Sequence, residues 1–300
     1  MQQAAIRYKL IKKIKDDKFD EENLHQYSLF VQLGARDFQT AIIDTTTQRI
    51  VFFEDYVLGD LRSTDEVFEL LKELFESHEL LSAGFWKEVR FSVKNNKFVQ
   101  VPDSLFKEGE EEEYLQFNAK VSPDKEAFIS CKSSTSDVVT AFAIHNDLYH
   151  WLKKIYANTT VYFLHQSAAL IDGVLQAEHQ AGSPLYIYVD RFKLHIISIK
   201  EKKLVYYNQF AIQQFSDYVK YIMLVLKTLH MDQETSKIVL WGYIGKSSPH
   251  FLEFSKYIRN VSFGQRPKHL NFGYMFDEIQ DHHFFDLYSI NLVQPQAVVK

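Results

Sequence analysis

Leu29 to Tyr56 reads LFVQLGARDFQTAIIDTTTQRIVFFEDY, and Leu185 to Phe210 reads LYIYVDRFKLHIISIKEKKLVYYNQF. One two-residue gap, opposite Arg36 and Asp37, aligns the two copies. In each, an apolar run leads through a turn to a second run rich in β-branched residues (Ala41, Ile42, Ile43; Ile196, Ile197, Ile199). A polar turn and a third run follow (Ile50 to Phe53; Leu204 to Tyr207). Short β-branched and aromatic runs separated by turn residues predict a three-stranded meander, present twice.

Each meander runs into a predicted helix. In the first copy Ser63, Thr64 and Asp65 offer capping oxygens, and Val67, Leu70, Leu71, Leu74 and Phe75 recur at three- and four-residue steps. In the second, Ser216 can cap, and Val219, Ile222, Val225, Leu226 and Leu229 repeat the pattern. A strand follows each helix, Val89 to Val93 and Ile238 to Trp241, so the shared order is βββαβ. The first half carries more: a strand at Val138 to Ile144, a helix capped by Asn146 and running through Trp151 and Ile155, a strand at Val161 to Leu164, and a helix near Ala168 to Leu175. The central strands alternate little between polar and apolar, which suits sheets covered by helices on both faces and an α/β fold with mixed sheets. With 300 residues, two cores are expected. The linker-like stretch Gln180 to Pro184 divides them, giving a basic N-terminal extension (1–23), a first lobe (24–181) and a second lobe with the C-terminal segment (182–300).

Composition narrows the function. The formal net charge is -5, which offers no global field for a nucleic-acid backbone. A single cysteine, Cys131, excludes an internal disulfide framework and a thiolate-only zinc site, and reads as a reducing compartment. No apolar run is long enough to span a bilayer and no signal-peptide core is visible at the N-terminus, so a cytoplasmic protein is expected. Glycine contributes 10 residues, about half its usual share of roughly 7%.

The duplicated βββαβ order resembles the two-lobed actin-like ATPase (ribonuclease H-like) fold shared by actin and sugar kinases. FAIHNDLYHWLKKIYANTTVYFLHQSAALIDGVL, Phe142 to Leu175, is similar to the strand-helix-strand-helix stretch of the pilus-assembly actin-like proteins. The opening FDEENLHQYSLFVQLG and closing HHFFDLYSINL are similar to an uncharacterised bacterial family with this fold, a likeness that covers nearly the whole chain.

That resemblance implies a nucleotide site whose parts can be checked. Active members of the wider fold carry an Asp-x-Gly type phosphate loop at each hairpin turn. Its carboxylate organises Mg²⁺, and its glycine lets backbone N–H groups approach phosphate oxygens. In the first hairpin Gly34 is present, but two residues earlier stands the neutral Gln32. Asp37 and Asp44 lie nearby, and nothing in the sequence puts either in the missing role. In the second hairpin Asp190 is present, but Arg191 and Phe192 stand where close backbone approach is needed. The glycine-rich turn that would cradle adenosine falls at Gly242 and Gly245, two glycines that can equally well just turn the chain. Gln32, Gly34, Asp190, Gly242 and Gly245 are therefore the vestigial nucleotide-site candidates. No resident cofactor is expected beyond weak ATP and Mg²⁺ binding.

Other constellations are weaker. Gly245-Lys246-Ser247 mimics the end of a P-loop, but Leu240 occupies the position five before Gly245, where a glycine is required. Cys131, among Lys132, Ser133 and Ser134, lacks a thiol-nucleophile signature, and no catalytic residue is assigned. His282 and Asp286 could share a helix face at i and i+4 as metal ligands, with His283 beside them. Their neighbours Phe284, Phe285, Leu287 and Tyr288 read instead as an aromatic stripe on a core, so no metal site is assigned. Glu110 to Glu113, with Glu108, predict a solvated face near a helix start, or a docking point for a basic partner. Residues 1–18 hold six cations against Asp16 and Asp17, and Ile6, Leu10, Ile11 and Ile14 could line one face. The segment reads either as a basic strand or short helix laid on the first lobe, or as a peripheral contact with a membrane surface or nucleic acid.

Together these readings favour a pseudo-ATPase, a non-catalytic cytoplasmic interaction or scaffold protein with an unidentified protein partner. The alternative is an ATP-binding actin-like enzyme or nucleotide-dependent switch. A third reading is self-assembly through strand edges or lobe surfaces.

Overall fold

The computed structural model describes residues 7–61, 63–177, 184–214 and 216–295. The chain forms two compact units. The first contains 1–169 and takes back 269–278 and 290–300; the second contains 170–268 and 279–289. The expected boundary lay in Gln180 to Pro184, of which 180–183 fall outside the described residues; the observed division falls at Ala169/Leu170.

In the first unit β1 (Tyr8–Lys15) precedes the meander β2 (Tyr27–Leu33), β3 (Asp37–Asp44) and β4 (Arg49–Leu58). Helices α1 (Thr64–Glu76) and α2 (Glu79–Ser82) lead to β5 (Glu88–Val93). Ser63 caps α1 by accepting from the Glu66 N–H, and Leu70, Leu71, Leu74 and Phe75 form its buried stripe, as the helical spacing predicts. Then come β6 (Phe98–Pro102), α3 (Glu111–Gln116), β7 (Glu126–Lys132), β8 (Val138–His145), α4 (Asn146–Ile155), β9 (Val161–His165) and α5 (Gln166–Gln176). His145, not Asn146, stands at the N-cap of α4, and it makes no side-chain capping bond.

The main sheet runs β1-β4-β3-β2-β5-β9, with β2, β5 and β9 parallel and the rest antiparallel. Strands β6, β7 and β8 belong to a separate small antiparallel sheet, inserted in the chain between β5 and β9. Glu111 in α3 does not join a solvated face: it is buried and accepts from the Ser130 hydroxyl at 3.0 Å.

The basic N-terminal segment is an edge strand, β1, antiparallel to β4, with a bulge between Leu10 and Lys12. Ile14 is buried while Leu10 and Ile11 are exposed, so these residues do not form one apolar face; Ile6 lies outside the described residues. Most of its cations are held by carboxylates of the same unit: Arg7 by Glu73, Lys12 by Glu278, Lys13 by Glu54 at 2.9 Å and Lys15 by Glu21 at 2.7 Å.

The second unit repeats the meander as β10 (Leu185–Val189), β11 (Lys193–Lys200) and β12 (Lys203–Ala211), followed by α6 (Ser216–Thr228) and β13 (Ile238–Gly242). Its sheet runs β12-β11-β10-β13-β14 after α7 (Pro249–Phe254) and β14 (Val261–Phe263). Ser216 opens α6 as its first residue; the Asp217 carboxylate takes the N–H groups of Gln213 and Gln214, which pulls its pKa below the ordinary value. One face of the sheet packs Leu185, Ile187, Leu194 and Ile196 against Ile222, Val225 and Leu226 of α6; the other packs Tyr186, Tyr188 and Trp241 against α5 and Phe285. The duplicated βββαβ order is thus realised with helices on both faces of this sheet.

Two short returns complete the first unit. Strand β15 (Asn271–Phe272) pairs in parallel with the start of β4. After the single-turn helix α8 (Phe285–Tyr288) in the second unit, β16 (Gln294–Pro295) joins β7. Arg90 holds this last passage, donating to the carbonyls of Ile290, Asn291 and Val293 at 3.1 to 3.3 Å.

Candidate functional site

The hairpin turn between β2 and β3 closes on itself, the Gly34 N–H donating to the Asp37 carbonyl at 2.8 Å. The Asp37 side chain folds back over the turn. A β-carbon added to Gly34 would stand 2.0 Å from Asp37 Oδ1, so the carboxylate occupies the space that the missing side chain leaves. Its other oxygen accepts from Lys94 Nζ at 2.7 Å and from Gln39 Nε2 at 3.1 Å, and the same Gln39 nitrogen lies 3.0 Å from Asp55 Oδ1. Asp37, Lys94, Gln39 and Asp55 are all buried. Register explains the convergence: Asp55, Gln39, Gln32 and Ser92 are consecutive partners across β4, β3, β2 and β5, a polar row through an otherwise apolar sheet. Gln32 lies in this row, fully buried.

A buried ammonium and carboxylate must be paired, because each alone costs several kcal/mol to desolvate. Asp37 is thus committed to Lys94, and Gly34 is required by that carboxylate. Sequence reasoning singled out Gly34 and Gln32 and left Asp37 without a role; Lys94 was missed, because the pair spans 57 positions and no local spacing signals it.

In the second unit the turn between β10 and β11 has the same closure, the Asp190 N–H donating to the Lys193 carbonyl at 2.9 Å. Asp190 is buried; one of its oxygens accepts from the Arg191 N–H at 2.8 Å, and the other lies 4.0 Å from His195 Nε2. The Arg191 guanidinium sits 4.6 Å from the centre of the Tyr243 ring and donates to its hydroxyl at 3.1 Å, while Phe192 is half exposed. Below the turn, Tyr188 donates to the buried Asp286, and His195 Nδ1 contacts the Tyr207 hydroxyl at 2.8 Å. Burial, with the Asp286 carboxylate next in weight, holds the Tyr188 phenol well above its ordinary pKa.

Gly242 ends β13 opposite Val189 with φ +94°, and a β-carbon there would meet the Val189 carbonyl oxygen at 2.1 Å. The Tyr243 N–H donates to that same oxygen at 2.7 Å. The backbone crossing alone demands glycine at 242. Gly245 has nothing within 4 Å of the β-carbon position, so nothing within the unit demands glycine there. Asp190 and Gly242 therefore meet at adjoining strand ends, while Gly245 lies in the turn beyond.

His282 and Asp286 do not share a helix face. Phe284 takes a left-handed conformation (φ 54°) and α8 begins only at Phe285. His282 Nε2 reaches the Ile244 carbonyl at 2.6 Å, whereas Asp286 binds Tyr188. Among the described residues no group of three or more His, Cys, Asp or Glu side chains is placed to hold a metal ion. Cys131 is buried in β7.

The meander-helix-strand units define the class: a protein of the actin-like ATPase fold. A Bacteroides thetaiotaomicron protein described as having an actin-like ATPase fold and unknown function superimposes with a TM-score of 0.74 at 22% identity, covering 91% of this chain and 98% of that one. A chain of a PilM-PilN type IV pilus biogenesis complex superimposes with a TM-score of 0.63 at 10% identity, covering 88% and 97%. The chain belongs to the family described as Protein of unknown function (DUF3822), which it matches over residues 16–261. No curated protein matches it.

Beside the phosphate loops with Mg²⁺ that the fold family implies, the two hairpins carry a different set of residues. The first offers Gln32 for a carboxylate and fills the space above its glycine with Asp37. The second offers a carboxylate engaged by its own backbone, followed by two residues with side chains.

Proposed function

We propose that this chain is a non-catalytic interaction or scaffold protein, a pseudo-ATPase on an actin-like fold, and that it carries no resident nucleotide. The observation that supports this most is the Asp37 carboxylate lodged over Gly34 and paired with Lys94, which sets a negative charge where a phosphate would need a bare backbone. Its output is recognition of a protein partner; a cytoplasmic setting suits the lone buried cysteine. Peripheral membrane contact by β1 is disfavoured, because most of its cations already have internal carboxylate partners.

Isothermal titration with ATP and Mg²⁺ tests the reading, the expected result being no stoichiometric heat. The rival reading, a nucleotide-dependent switch, requires binding that is lost in Gly245→Trp, at a position where an added β-carbon meets nothing within 4 Å. Gly242→Trp is unsuitable for this purpose because its side chain would collide with the Val189 backbone.

A further inference from the structure

The geometry points to the open edge of β12 as a self-association surface, on which a second copy of this chain adds its own β12 in antiparallel register. The internal duplication carries the argument. In the first unit the third strand of the meander, β4, has its outer edge covered by β15 at Arg49 and Ile50 and by β1 from Phe52 to Leu58. Nearly all of β4 is buried as a result. Its counterpart β12 ends its sheet, and among the described residues no strand pairs with its outer side. None of its nine residues is buried.

The other sheet edges are short or blunted. β1 is rich in lysine and bulged, β14 has three residues, β9 has five, β6 ends in Pro102 and β16 has two residues. Such devices suppress edge-to-edge pairing. β12 carries no charge and no proline from Leu204 to Ala211, and its single bulge, at Val205, leaves the six residues that follow regular.

Chemistry selects the occupant. In the aligned copies, Glu54 and Asp55 of β4 face β1, opposite Lys13 and Lys12, and Lys13 bonds to Glu54. Asn208 and Gln209 stand at the matching positions of β12. Both are neutral amides, Asn208 one methylene shorter than Glu54 and Gln209 one longer than Asp55, so β12 lacks the carboxylate that pairs with a lysine of β1. The Asn208 Oδ1 accepts the Gln209 N–H at 2.9 Å, and the pair adds no charge to the edge. An antiparallel pair of β12 strands brings no like charges together across its regular stretch, and an antiparallel edge matches a copy of itself about a two-fold axis. Both faces of β12 also carry half-buried apolar side chains, Tyr206 and Phe210 on one and Leu204 and Tyr207 on the other, which a second strand would finish covering.

Sedimentation velocity over a concentration series, on the full chain without nucleotide, tests this independently of the hairpins. The expected result is a concentration-dependent dimer for the natural chain and dimerisation weakened about tenfold or more in both Asn208→Lys and Asn208→Glu, with the dimer restored in an equal mixture of the two, since like charges brought face to face are costly and opposite ones are not. Circular dichroism checks that each variant is folded, and Asn208 is an exposed position of the strand. A chain that stays monomeric throughout overturns the inference. So does a dimer indifferent to both substitutions, or one that both charges break and the mixture fails to restore.

Discussion

Gly34 and Asp37 illustrate how one residue can hold another's identity fixed. Removing Asp37 as Asp37→Ala would strand the Lys94 ammonium in a buried site, and uncompensated burial of this kind costs about 3–5 kcal/mol. Urea denaturation should register that loss, and the double replacement Asp37→Leu with Lys94→Met should recover most of it. Gly34→Ala forces the carboxylate aside and is expected to cost about 1–3 kcal/mol. The penalty should shrink in an Asp37→Ala background; additivity of the two changes would contradict the contact. Histidines supply a pH dependence in the second unit. Burial, reinforced by His282, lowers the His283 pKa to about 4 from an ordinary 6.5. The unfolded chain therefore takes up a proton first, and stability drains away as pH falls from about 6.5 towards 4. Thermal melts of His283→Phe should show a flatter dependence over that window than the natural chain. Below it, the depressed carboxylates of the first unit lose their own contribution. Asp16 and Glu54 are held down, against the opposing pull of burial, by Arg49 and by His78 with Lys13 respectively.

At the scale of elements, β1 and the Arg7 that precedes it are fastened by their own side chains: a buried Ile14, and ion pairs that reach α1, β4, Glu21 and the return segment near β15. Exposed ion pairs contribute little each, but deleting residues 1–15 also bares the β4 edge and leaves the buried Glu54 without Lys13. That truncation should lower the urea midpoint of the first unit, and it should do so without changing affinity for anionic vesicles; the opposite pattern would favour a membrane role. Elements were also where the sequence was most legible. Both meanders, α1, α6 and the strands after them follow from local periodicity and turn chemistry, because each is specified within about a dozen neighbouring residues. The assignment of β8 to a separate sheet was not legible: VVTAFAI reads as an apolar strand whichever neighbour it finds, and register partners such as Phe98 and Phe142 lie far apart in sequence. The loss of a helix at His282 has a single cause, the left-handed Phe284, which no residue type there announces.

For the molecule as a whole, duplication was readable and closure was not. The two meanders predicted two lobes, yet the first unit is finished only by residues 269–278 and 290–295, which arrive after the second unit has been built. The pairs that tie them in (Asn271 with Arg49, Pro295 with Cys131, Arg90 with the carbonyls near Val293) span most of the chain and leave no local trace. The candidate site shares this limit, since its landmarks Gly34 and Asp190 are local while Lys94 is not. A fragment ending at residue 181 lacks both returns, so it should show a less cooperative urea transition than the first unit in the intact chain, and adding the missing segments as a fused C-terminal extension should sharpen it.

Because β1 and β16 are both stitched into the first unit, a force applied between the two ends of the chain would enter and leave through that unit alone. In an optical trap, rupture of the first unit should come first, with the second shielded as slack inside the loaded path until those stitches tear.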